Sequence, residues 1–250
     1  MPKTSVDKIA LMMIAGLLMS AAAIAGETAT VSTSVDLYSR YVWRGADIAN
    51  TPSIQPSLAV SYRGCELGAW GAYTLSNQAS GTDEIDFWLG YTHSAGKDVS
   101  VTAIATDYYY PNAGIDFFNF NNYDAVKDDT ISDPGAHTIE LGVIVAGPPS
   151  FPLSVSGYVN VYNDAGSNTY FQLDYSVTVD NTDLNFFCGA TGGSKDNPGY
   201  YGSDNFAVIN TGVTATRNIP VSDRLSVPLT VSFIVNPKAE ISYLVVGMSF

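Results

Sequence analysis

From Val31 to Phe250 the chain alternates apolar and polar residues in runs longer than the roughly five or six residues common in soluble strands. The first run sets Val31, Val35, Leu37, Tyr41 and Trp43 against Ser32, Ser34, Asp36, Tyr38, Arg40 and Arg44. Later runs set Ile54, Leu58, Val60 and Tyr62 against Gln55, Ser57 and Ser61, and Leu141, Val143 and Val145 against Glu140 and Gly142. Phe171, Leu173, Tyr175 and Val177 alternate in the same way with Gln172, Asp174 and Ser176. A period of two over such lengths predicts strands with one apolar and one polar face. About twelve of them fit into the chain, an even number as single-chain bacterial barrels require. The expected fold is all-β: an antiparallel, up-and-down transmembrane β-barrel spanning residues 26–250 as a single domain. The competing arrangement is a soluble β-sandwich, in which the apolar faces pack against each other.

The N-terminal segment bears on that choice. Lys3 and Lys8 precede an almost uncharged stretch from Ile9 to Ile24, which ends in Ala23-Ile24-Ala25. A positive n-region, a short apolar h-region and an A-x-A site describe a secretory signal peptide over residues 1–25. The apolar stretch is shorter than the roughly 20 residues of a spanning helix, and no later run is long enough for one. Removal of residues 1–25 takes away Lys3, Lys8 and Asp7 and moves the net charge from −13 to −14. Such acidity disfavours nucleic acid as a partner. Cys65 and Cys188 fall in separate predicted strands and are expected to stay unpaired. Without nearby His partners they make an incomplete metal set, and no cofactor is expected.

The connections alternate in length. Residues 63–64, 147–152 and 180–182 are short links, whereas 45–52, 111–135 and 193–205 are long and all fall at the opposite end. An outer-membrane barrel with both termini in the periplasm predicts this asymmetry. Trp43, Tyr73, Phe87, Tyr109 and Phe171 are expected on the apolar face near the external rim, with Tyr62, Tyr91 and Phe250 near the periplasmic one. Aromatic rings with polar edges favour those two interfaces.

The terminal run Leu244, Val246, Met248, Phe250 resembles the C-terminal signal of bacterial outer-membrane β-barrels, with Met248 where an aromatic is usual. That resemblance implies recognition of the last strand by the outer-membrane assembly machinery. A second resemblance covers residues 31–92. Ser39-Arg40-Tyr41-Val42-Trp43-Arg44-Gly45, Pro52-Ser53-Ile54-Gln55-Pro56, Gly68-Ala69-Trp70-Gly71, Glu84-Ile85-Asp86 and Gly90-Tyr91 are similar to runs in the TorF-type porins of proteobacteria. The likeness implies an outer-membrane barrel with a channel role and supplies no catalytic or ligand residues. Residues 46–51 lack the Gln that often follows the Arg-Gly pair, and Glu66 stands where an aromatic is common.

The polar strand faces supply the candidate pore lining: Asp36, Glu66, Asp86, Glu140 and Asp174, with Arg40 and Arg44 as the bases. Arginines facing acids across a lumen can screen ions, or can neutralise inward carboxylates and close the lumen. The excess of acids points to small cations as preferred solutes, with membrane lipid around the barrel. Asp116, Asp124, Asp128 and Asp129, with Phe117, Phe118 and Phe120, mark residues 111–135 as a loop that could constrict the barrel or cover its mouth. Its carboxylates do not have EF-hand spacing. Enzymatic motifs are missing, and His93 and His137 fall at opposite strand ends, so no enzyme is expected. The alternative function is a non-conducting barrel that displays its loops to a partner.

Overall fold

The computed structural model describes residues 28–76, 83–96, 98–122, 134–222 and 225–250, so the expected signal peptide lies outside the described residues. Strand β1 (Thr30–Tyr38) is followed by two short strands, β2 (Val42–Trp43) and β3 (Ala46–Asp47). Then come β4 (Ser53–Tyr62), β5 (Cys65–Thr74), β6 (Glu84–Ala95), β7 (Val99–Tyr109) and β8 (His137–Ala146). The chain continues through β9 (Leu153–Tyr162), β10 (Thr169–Val179), β11 (Thr182–Thr191), β12 (Ala207–Ser222), β13 (Leu225–Asn236) and β14 (Ile241–Ser249). β1 and β4–β14 form a closed antiparallel barrel in which each strand pairs with its sequence neighbours and β14 returns to β1. β2 and β3 pair only with each other.

Alternation decides which way each side chain points. Val31, Leu58, Phe87, Leu141, Leu173, Phe233 and Leu244 are exposed on the outside, forming an apolar belt that runs round the barrel. Ser, Thr, Asn, Gln and most of the acidic strand residues take the inward positions, as the pairings Ser34–Ser57, Thr214–Ser232 and Thr216–Thr230 illustrate, whereas Asp107 shares the outer face with Phe87. An apolar surface this extensive far exceeds the few hundred Å² that soluble monomers leave in water. Two adjacent positive-φ residues make the tightest turns, Arg63-Gly64 and Asp180-Asn181, which is the backbone a two-residue hairpin requires. These turns and residues 147–152 lie at one end, and the longer connections lie at the other, together with the four-residue turn 237–240 between β13 and β14. Cys65 and Cys188 are unpaired.

The seam between β1 and β14 is short. Its register runs Asp36–Ser249, Leu37–Met248 and Tyr38–Gly247, with Phe250 and Val35 exchanging backbone hydrogen bonds of 3.0 and 3.1 Å. Gly247 lies opposite Tyr38, and a Cβ there would stand 2.2 Å from the Tyr38 ring. Gly247→Val therefore drives Tyr38 off the seam at a cost of about 1–3 kcal/mol. The expected result is a lower temperature for conversion of the compact to the unfolded gel form, measured on samples heated stepwise in detergent.

Candidate functional site

The first predicted strand ends earlier than its alternation suggests. Period two continues through Arg44, but the barrel strand stops at Tyr38, and residues 39–52 fold back inward around the β2–β3 hairpin. The turn of that hairpin is Arg44-Gly45, with φ of 47° and 78°, the same two-residue geometry as Arg63-Gly64. Gly45 packs so closely on β12 that a Cβ would lie 1.9 Å from the Ile209 carbonyl oxygen. The Asn236 amide also donates to the Gly45 carbonyl at 3.1 Å.

Arg44 is the centre of the filled half of the lumen. Its guanidinium donates to both carboxylate oxygens of Glu140, at 2.5 and 2.8 Å, and also to the Tyr201 hydroxyl. Tyr108 donates to the same carboxylate at 2.8 Å. The guanidinium carbon lies 4.4 Å from the Tyr170 ring centroid, 4.5 Å from Tyr158 and 4.6 Å from Trp43. Burial opposes the positive charge, yet Glu140 and the surrounding tyrosines hold Arg44 well above its ordinary pKa. A planar guanidinium suits this place because it accepts bidentate pairing and ring stacking together.

Two segments meet over this pair. Trp43 stacks on Tyr201 and meets Tyr108 edge-on, and Tyr41 donates to Glu84 at 2.9 Å. Tyr201 comes from residues 192–206, the connection between β11 and β12. A register shift at Gly189/Ala190 accompanies burial of Ile209 against Tyr170 and Tyr201. Every barrel strand from β4 to β14 contributes at least one buried inward side chain in this half, among them Glu84, Glu140, Asn160, Thr191 and Val245. A water-filled passage would leave those side chains wet, so the hairpin and residues 192–206 form an internal plug.

Residues 192–206 are clamped from the side by Asp164, in the β9–β10 connection. Its carboxylate accepts from the side-chain amides of Asn160, Asn168 and Asn197 at 2.8–3.0 Å, and from two backbone N–H groups. Burial pushes its pKa up, but these donors outweigh it and hold the carboxyl below its usual range. A depressed pKa gives stabilisation that is complete above the ordinary Asp value of about 3.9 and is lost as pH falls through the folded value. Proteolysis within 192–206 is therefore expected to be pH-independent from pH 5 to 8 and to accelerate below about pH 4. Asp164→Ala should give the fast cleavage at neutral pH.

The sequence-predicted residues divide as follows. Arg44 and Glu140 meet, whereas Arg40 pairs with Asp47 in its own connection rather than with an acid across the lumen. Asp36 and Asp86 each keep a buried carboxylate oxygen without a hydrogen-bond partner among the described residues. Asp174 accepts from Gln172 and Asn185, and Glu66 from Ser61 and Trp88. Trp43, expected at the outer rim, lies inside. The described part of 111–135 rests on the outer flank, where Phe117 meets Phe87 and Tyr109, and Tyr162 donates to the Phe120 carbonyl. It does not enter the lumen: Asp116 is exposed there, and Asp124, Asp128 and Asp129 lie outside the described residues. His137 is held beneath this flank, with Nδ1 on Asp107 and Nε2 on the Phe117 carbonyl.

Sequence reading missed Tyr41, Gly45, Glu84 and Tyr201. The repeated Arg-Gly pair was the available signal for the inner hairpin, since an X-Gly pair between short apolar runs marks a two-residue turn. No curated protein matches the chain. A family model described as a bacterial protein of unknown function, Gcw_chp, matches residues 22–226. A closed twelve-strand barrel filled at one end by its own hairpin is thus a member of the bacterial Gcw_chp family.

Proposed function

We propose that this protein is an outer-membrane channel of a Gram-negative bacterium, for small hydrophilic solutes and preferentially cations, held shut in this conformation by its inner hairpin. The observation that carries the reading is how the plug docks. Arg44 is held by Glu140 and the Tyr201 hydroxyl, and Tyr108 donates to the same Glu140, so much of the contact surface is polar and can be rehydrated when the hairpin leaves. The apolar belt supports insertion in a bilayer, because closure leaves no strand edge unpaired over most of the circumference. Short turns and both described chain ends at one rim support a periplasmic orientation for that rim. The resemblance to TorF-type porins agrees with a channel role.

Cation preference rests on the inward charges. Among the described residues Asp36, Glu66, Asp86 and Asp174 have no basic partner, while Arg40 and Arg44 are already paired with acids. Carboxylates lining a narrow passage favour cations within about 8 Å at physiological salt. A non-enzymatic role is part of the proposal, since both ring nitrogens of His137 are engaged by Asp107 and the Phe117 carbonyl rather than by a hydroxyl among the described residues. Display of a binding loop is the second reading, favoured by Phe118 and Phe120, exposed on the outer flank. The test is a reversal potential in a KCl gradient across a planar bilayer, with the plug released by Arg44→Ala. Current carried mainly by K⁺ supports the channel reading. Anion selectivity overturns the preference, and silence in the released variant favours display.

A further inference from the structure

Beneath the plug the lumen holds a separate cavity of about 240 Å³ towards the short-turn end. Its wall includes Glu66, Trp88, Ser61, Thr92, Thr102 and Ile104. We propose that this cavity binds a small organic ammonium ion, held between the Glu66 carboxylate and the Trp88 ring.

Three features lead to that ligand class. Glu66 is positioned in advance: Trp88 Nε1–H donates to one oxygen at 2.8 Å and the Ser61 hydroxyl to the other at 2.9 Å. A carboxylate has about four acceptor positions, so two such bonds leave capacity for a ligand donor. Among the described residues no Lys or Arg lines the cavity, so none of their side chains neutralises this charge. Arg63, in the adjoining turn, lies over the Tyr62 ring at 5.3 Å.

The third feature is the space made for the indole. A Cβ on Gly68 would stand 2.0 Å from the Trp88 ring, so only glycine lets the indole settle against β5. Gly90, next on the inward face of β6, leaves open volume beside it, with nothing nearer than 3.7 Å to a Cβ built there. An aromatic ring and a carboxylate facing one small cavity attract a cation from two directions. A neutral polyol gains from the ring and the hydroxyls but has no charge to meet Glu66. The volume is below the roughly 300–1,000 Å³ of sites for drug-sized ligands and fits a small solute.

The inference deepens the cation preference proposed above and is tested without any measurement of current. Choline chloride is titrated calorimetrically into the whole detergent-solubilised barrel, with tryptophan fluorescence followed in parallel. Sodium chloride at equal ionic strength and glucose serve as comparison solutes. Saturable choline binding is expected, weakened at least tenfold by Glu66→Gln and unchanged within twofold by Asp183→Asn. The absence of saturable choline binding to the wild-type barrel overturns the inference, as does equal binding of glucose or unaltered affinity in Glu66→Gln. The wild-type comparison of choline with glucose stands even where a variant fails to show the compact, heat-modifiable form. A barrel that conducts on plug release but binds no choline defeats this inference alone. One that binds choline but never conducts defeats only the channel reading.

Discussion

Replacing Arg44 with alanine is expected to turn a silent barrel into a conducting one. The guanidinium and Glu140 are both almost fully enclosed, with side-chain exposures of 10% and 2%. Removing one partner of a buried pair leaves the other charge without compensation, at a cost of about 3–5 kcal/mol. That cost falls on the plugged state, because Glu140 regains water once the hairpin withdraws. The ratio of open to plugged molecules should thus rise by roughly two to four orders of magnitude. The barrel itself should persist, since its backbone ladder does not involve Arg44. The checking measurement is single-channel current, recorded beside a gel assay that shows intact heat-modifiable protein.

Gly45→Val should release the same hairpin by steric means. The added Cβ meets a backbone carbonyl 1.9 Å away, and no rotamer can relieve contact with backbone. The left-handed φ of 78° adds roughly 1–2 kcal/mol of strain for a residue with a side chain. Withdrawal also gives up the hydrogen bond from Asn236. Trp43 then leaves its stack on Tyr201 for water. The expected signature is a red shift in tryptophan emission together with conductance resembling that of Arg44→Ala. An unshifted spectrum would mean that the hairpin stays docked.

The barrel was legible because its physics is local. Leu141, Val143 and Val145 announce an outward face by spacing alone, and the same rule places Glu140 and Gly142 inside. Turn length then separates the two rims. The plug was not legible by that rule, because Tyr41 and Trp43 keep the parity of Val35 and Leu37 and so read as more of the same strand. Only the Arg44-Gly45 pair argued for a turn. What makes Arg44 a docking residue is Glu140, 96 residues on, together with rings from β9, β10 and residues 192–206. No local pattern encodes a meeting of that kind. Burial of Ile209 likewise goes with a register shift at Gly189/Ala190, which alternation cannot foresee.

The central claim is that the lumen is closed by the protein's own hairpin. The most direct test records wild-type protein and Arg44→Ala in the same planar bilayer, at equal amounts of folded barrel. The account predicts a quiet wild-type trace with no more than rare openings, and steady unitary currents from the variant. Sustained conductance from the wild-type barrel, unchanged on loss of Arg44, would contradict it.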